Sequence, residues 1–266
     1  MNTPLYCRLF RLRAAFVRFV QYLLSAADNG SECIGCGKKC GPVPVCSECL
    51  HRLFSFPGYR DGRCRICGKI LLSAEETCLS CRAAPVLNHT DGVFPLQPYR
   101  LWIQNLVWLW KLQNCRTVTP LFARLLRKGL LDLSAAAGVP DQLPIVPVPP
   151  RPGKIRKNGW DQIDDLCSYL HGCWGYTILP LLERISDNPQ KKLNRAQRLE
   201  TVGKSYVLRS ASYTGRVLQK RTNGIPPAVV LLDDVMTTGA TIESCAALLK
   251  QAGIGTVYAI TLFVVD

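Results

Sequence analysis

The chain has 266 residues, 48% of them hydrophobic and 20% charged, which excludes a disordered protein and leaves room for one sizeable domain plus a small one. Its formal charge of +14 points to a polyanionic partner, either nucleic acid or a phosphorylated ligand. No apolar stretch reaches bilayer-spanning length, so no integral membrane segment is expected. The chain opens on residues 1–32, where Leu9, Leu12, Phe16, Phe19, Leu23 and Leu24 recur at helical spacing. An amphipathic helix is expected there. Arg8, Arg11, Arg13 and Arg18 break up the apolar centre that an export signal needs, and the expected location is cytoplasmic.

Residues 33–84 carry four C-x-x-C pairs: Cys33 with Cys36, Cys46 with Cys49, Cys64 with Cys67, and Cys78 with Cys81. Each pair can form a knuckle that points two thiolates at one ion, and two knuckles complete a tetrahedral Zn²⁺ site. Nine residues separate the first two pairs and ten the last two, a regularity that favours two consecutive zinc ribbons built from sequential pairs. A cross-braced pairing satisfies the same spacing. Eight thiolates fill two sites, so neither His51 nor His89 is expected to bind metal, and Cys40 reads as a bystander. Ala83 to His89 reads as a short linker.

Beyond it, Leu101–Leu112 predicts a dense apolar helix whose Trp102, Trp108 and Trp110 belong to the core. Lys111 stands near its end. A second helical pattern covers Thr119–Leu133. The segment from Leu143 to Gln162 runs from an apolar strand into a Pro-rich basic loop, then into a helix from about Asp161. Arg151, Lys154, Arg156 and Lys157 of that loop are candidates for neutralising a diphosphate. Ser186 to Pro227 reads as a long, mostly irregular stretch with nine Lys/Arg against two acids. It supplies most of the charge of the C-terminal region.

The run Val229–Thr241 is the most specific signal. A continuously apolar strand ends in Asp233 and Asp234, then Thr237, Thr238, Gly239, Ala240 and Thr241 turn into a helix that stops near Gly253. Ligands of open α/β sheets bind at this strand edge, where paired carboxylates can accept hydrogen bonds from two ribose hydroxyls. The loop offers backbone N–H groups and threonine hydroxyls to a phosphate. Thr256–Val265 predicts a closing sheet strand.

This run resembles the 5-phosphoribosyl diphosphate (PRPP) motif of type I phosphoribosyltransferases. The resemblance implies that Asp233 and Asp234 hold the ribose hydroxyls and that Thr237 to Thr241 hold the 5-phosphate, with Mg²⁺ carried mainly by the diphosphate. Thr237 stands where purine-salvage members usually have an aspartate, which argues against that activity. Together with the cysteine pairs, the V-P-V-P strand, the N-G-W-D-Q segment from Asn158 to Gln162 and the L-N-R-A-Q-R segment, the whole resembles the ComF family. Gln190, Leu193, Arg195 and Arg198 keep that family's spacing, whereas Asn158 and Asp161 stand where it commonly has Arg and Asn. The resemblance implies an α/β fold, with a type I phosphoribosyltransferase-like parallel-sheet domain over 85–266 preceded by the zinc ribbons. It implies a cytoplasmic DNA-uptake protein that binds PRPP and single-stranded DNA and works with competence or DNA-processing proteins. The alternative is a Mg²⁺-dependent phosphoribosyltransferase. No hood for an acceptor base is identifiable, so no catalytic residue is assigned.

Overall fold

A computed structural model describes residues 31–41, 43–55, 62–71, 75–83, 85, 87–155, 159–185 and 205–265, with residues 20 and 23. The expected N-terminal helix lies almost wholly outside the described residues, as do Arg156, Lys157 and the stretch 186–204.

The cysteine region opens with a two-residue antiparallel pair, β1 (Ser31–Glu32) and β2 (Lys39–Cys40). Two short helices follow, α1 (Ser47–Phe54) and α2 (Leu79–Ala83), each beginning beside the first cysteine of a pair. The main body is a four-stranded parallel sheet. Its strands are β3 (Gly92–Pro98), β4 (Ile145–Pro147), β7 (Ala228–Met236) and β8 (Thr256–Val264), in the order β3-β8-β7-β4. A smaller antiparallel pair joins β5 (Leu182–Arg184) to β6 (Tyr206–Leu208). Five helices complete the body: α3 (Trp102–Leu112), α4 (Thr119–Ala137), α5 (Gln162–Trp174), α6 (Ala211–Thr222) and α7 (Ala240–Gln251). This is the mixed α/β class with a parallel sheet that the sequence predicts.

The central strands are apolar at consecutive positions because both faces of the sheet are covered. Val230, Leu232, Ile260 and Leu262 face one core, with side chains of α3, α4 and α5. Val229, Leu231, Val257 and Ala259 face the other, with Ile242, Ala246 and Leu249 of α7. The cysteine region divides between these faces: Cys49 and Leu53 join the first core, while Cys64, Cys67 and Cys81 join the second. Strand β3 lies at an edge, where Pro95 removes no ladder bond that a neighbour needs. On its free side the Pro95 carbonyl accepts from Arg63 Nη1 at 2.8 Å.

Trp110 is fully buried, packs edge-on to Phe122 at 4.8 Å and donates its indole N–H to Thr119 Oγ1 at 2.9 Å. It satisfies the expectation of a core tryptophan, whereas Trp108 is 49% exposed. Helix α5 begins where Asp161 predicts it, because Asp161 Oδ1 accepts from the backbone N–H groups of Ile163 and Asp164. One expectation needs correction. Described residues 205–227 are not irregular: they form β6 and α6, the latter started by Ser210 accepting from Tyr213 N–H. At the end of the short linker, the N–H groups of Asn88 and His89 both donate to Glu243 Oε2.

Candidate functional site

Strand β7 does not stop at its two acids. It continues through Asp233, which pairs with Thr261 of β8, as far as Met236, so the acids are held by the sheet rather than by a loop. The side chains of two consecutive strand residues leave on opposite faces, yet Asp233 Oδ1 turns back to accept the N–H of Asp234 at 2.8 Å. Thr237 to Gly239 then form the bend into α7. Gly239 caps the helix at φ 84°, in the left-handed region, and a Cβ there would stand 3.2 Å from the Leu87 side chain. Thr238 Oγ1 accepts from Ala240 N–H at 3.4 Å. With Ala240 N–H given to Thr238, the next first-turn N–H groups of α7, those of Thr241 and Ile242, have no carbonyl of their own helix to donate to, a geometry suited to an anion. The strand end, the acids and the loop therefore meet at the C-terminal edge of the central strand, where open α/β sheets bind ligands.

Sequence reasoning passed over Lys111. The last turn of α3 brings its Nζ to 2.6 Å from Asp234 Oδ2. Burial works against the lysine's charge, but Asp234 and then Asp233 overcome it, so its pKa stands above the ordinary lysine value. Asp233 behaves differently. Burial first, then the neighbouring Asp234, push it up to about 7, with Lys111 only partly opposing. The signal for Lys111 was a single basic residue within an otherwise apolar helix end, and only the tertiary fold shows what it faces.

The basic loop reaches the same region. Lys154 Nζ lies 2.6 Å from Asp161 Oδ2 and also donates to Gln162 Oε1. Asp161 adds to the negative field that raises Asp233. Arg151 shares a surface cleft with Glu183, Arg184 and Arg209. The Arg184 guanidinium lies over the Tyr206 ring at 5.4 Å. Burial drives the Tyr206 hydroxyl up to about 12 despite Arg184, and this ring faces both Asp233 and Thr241. Of the four diphosphate candidates, Lys154 is held by Asp161 and Gln162 and Arg151 lines the cleft with Arg184 and Arg209; Arg156 and Lys157 lie outside the described residues.

The eight cysteines form two groups, Cys33, Cys36, Cys46 and Cys49, then Cys64, Cys67, Cys78 and Cys81, in each of which all sulfurs lie within 4.8 Å of one another. The pairing is sequential, not cross-braced. A tetrahedral Zn²⁺ with bonds of about 2.3 Å sets its ligand sulfurs about 3.8 Å apart. Cys36 and Cys46 stand 3.6 Å apart, and Cys67 and Cys78 3.7 Å, so both donor sets fit such an ion. Backbone N–H groups converge on one sulfur in each four-cysteine group, Cys33 in the first and Cys64 in the second. Against the upward push of burial, donors from Cys46, Gly35 and Cys36 hold Cys33 down at about 6. Donors from Cys67, Cys78 and Ile66 hold Cys64 at about 7. Among the described residues no histidine joins either group, and His89 pairs instead with Glu243 at 2.6 Å.

No protein-family model matches the chain. A curated relative does. The chain is similar to the competence protein ComFC of Streptococcus pneumoniae, with 24% identity over 211 residues, 79% of this chain and 82% of that protein. The resemblance read from the motifs and the relative found by comparison agree. Among the described residues no helix is long and apolar enough to cross a membrane.

Proposed function

We propose that this chain is a ComF-like, PRPP-binding protein that acts in DNA uptake by holding single-stranded DNA. The observation that carries the reading is the acid pair on the central strand. Asp234 stands five residues before the left-handed Gly239 that starts α7, and Lys111 is the counter-charge of the acid pair. In this reading the acids accept the ribose 2- and 3-hydroxyls, and the hydroxyls and N–H groups of Thr237 to Thr241 hold the 5-phosphate. Mg²⁺ arrives on the diphosphate, whose remaining charge Lys111 and Lys154 offset. Zn²⁺ in the two cysteine groups is structural. The strand's phosphates are met by the cationic surface that includes Arg151, Arg184 and Arg209.

Calorimetry with PRPP and Mg²⁺ tests the pocket. The double variant Asp233→Asn, Asp234→Asn loses binding, and unchanged affinity removes the assignment. Single-stranded DNA affinity falls with log salt at a slope of about −0.7 per phosphate neutralised, and a flat response removes the phosphate-contact argument. Diphosphate release on adding a nitrogen nucleophile would convert the reading into that of a phosphoribosyltransferase.

A further inference from the structure

The second cysteine group does more than cap one face of the sheet. A cleft of about 130 Å³ is lined both by this group, through Cys67, Lys69, Cys78, Ser80 and Cys81, and by Thr237 and Thr238 of the ribose-phosphate loop, with Leu87 and Met236 between them in the lining. No carboxylate lines it, and its only fixed negative charge would come from the thiolates of the cysteine group. Lys69 follows directly on Gly68, whose φ is 68° and whose Cα lies so close to β3 that a Cβ would meet the Val93 carbonyl oxygen at 2.4 Å. Arg63 Nη1 clamps the same junction, donating to Gly68 O at 2.9 Å and to Pro95 O at 2.8 Å. The Lys69 carbonyl accepts from Cys64 N–H at 2.8 Å, which ties its backbone to the knuckle. The base of the side chain is therefore fixed from three directions. Among the described residues no carboxylate pairs with the Lys69 ammonium: none of the ion pairs includes it.

We infer that Lys69 is an anion ligand supplied by the second cysteine group to the ribose-phosphate loop, so that this group, and not the first, forms part of the ligand site. The inference rests on the reading that Thr237 to Thr241 hold a phosphate. The chemistry is that of a phosphate monoester held between threonine hydroxyls and helix N–H groups on one side and an ammonium on the other. The competing role for Lys69 is to offset the negative charge of a metal-filled tetrathiolate. The two roles differ in what they do to metal content. The first cysteine group has a lysine at the equivalent position, Lys38, but that ammonium pairs with Glu48 at 2.9 Å and the group packs on Trp102 and the opposite core.

The experiment uses the full chain with zinc measured by elemental analysis and binding measured by calorimetry with two probes, PRPP with Mg²⁺ and ribose 5-phosphate. Lys69→Ala is expected to retain the wild-type zinc content while binding both probes about tenfold more weakly, the loss of one exposed charge-assisted contact. Lys69→Arg is expected to restore most of that loss. If Lys69→Ala binds both probes as the wild type does, or weakens only in proportion to zinc lost, the inference is overturned. Wild-type protein that takes up neither probe, or an Asp233→Asn, Asp234→Asn variant that binds PRPP unimpaired, removes the ribose-phosphate reading and this inference with it.

Discussion

Replacing Lys111 by Met keeps the bulk of a long side chain and removes one charge 2.6 Å from Asp234. Unit charges about 4 Å apart at an effective dielectric constant near 20 attract by about 4 kcal/mol. The lysine side chain is 27% exposed and Asp234 18%, so much of that attraction offsets the cost of taking the charges out of water. A net loss of about 2 kcal/mol is expected, which in a chain of this size lowers Tm by about 4–8 °C. The loss also depends on pH. Asp233 has a folded pKa of about 7, above its model-compound value of 3.8, so the folded chain holds an extra proton between those values. The stability that this proton confers is full below the unfolded pKa and is lost as pH rises through about 7. Without Lys111 the ionised Asp233 is harder still to accommodate, because one of the few groups favouring its charge has gone. Thermal unfolding of Lys111→Met beside the wild type should therefore show a larger deficit at about pH 8 than at about pH 6. An equal Tm for the two proteins, or a deficit that is greater at the lower pH, would refute the argument that Lys111 is the counter-charge of the acid pair.

Ribose hydroxyls donate best to an ionised carboxylate, so PRPP affinity measured by calorimetry should rise as pH increases through about 7, the pKa of Asp233; an affinity flat across that range separates Asp233 from the ligand. Gly68→Ala meets both a left-handed φ and the Val93 carbonyl, and should lower stability by about 2 kcal/mol or more in thermal unfolding. Gly37→Ala at a similar φ of 73° meets nothing within 4 Å and should cost only about 1 kcal/mol; equal losses would show that the close approach to β3 is not what matters at Gly68. Elemental analysis should find zinc at two ions per chain, one for each cysteine group. A chelator should then lower Tm, and Cys78→Ser should halve the zinc content.

The amino-acid sequence by itself determined the parts whose meaning is local. Four C-x-x-C pairs announce metal knuckles because two thiolates at that spacing point at one ion, and the apolar run into Asp233, Asp234 and a Thr/Gly loop announces a strand, a turn and a helix N-terminus. Helices such as Trp102–Leu112 and Gln162–Trp174 were legible from periodicity and from the capping side chain of Asp161. Residues 211–222 were not, because Ser, Gly, Thr and Arg make a weak apolar stripe there and only Leu218 is buried in that helix. Tertiary structure alone decided the rest. Spacing permits either pairing of the knuckles, and the sulfur positions select sequential groups. Lys111 and Asp234 are separated by more than a hundred residues, and no periodicity relates them until α3 is packed against the sheet. The same holds for the second cysteine group, which meets the Thr237–Gly239 loop only because both rest on one face of the sheet. Local chemistry can be read along a chain; which distant charges share a pocket depends on how the layers close.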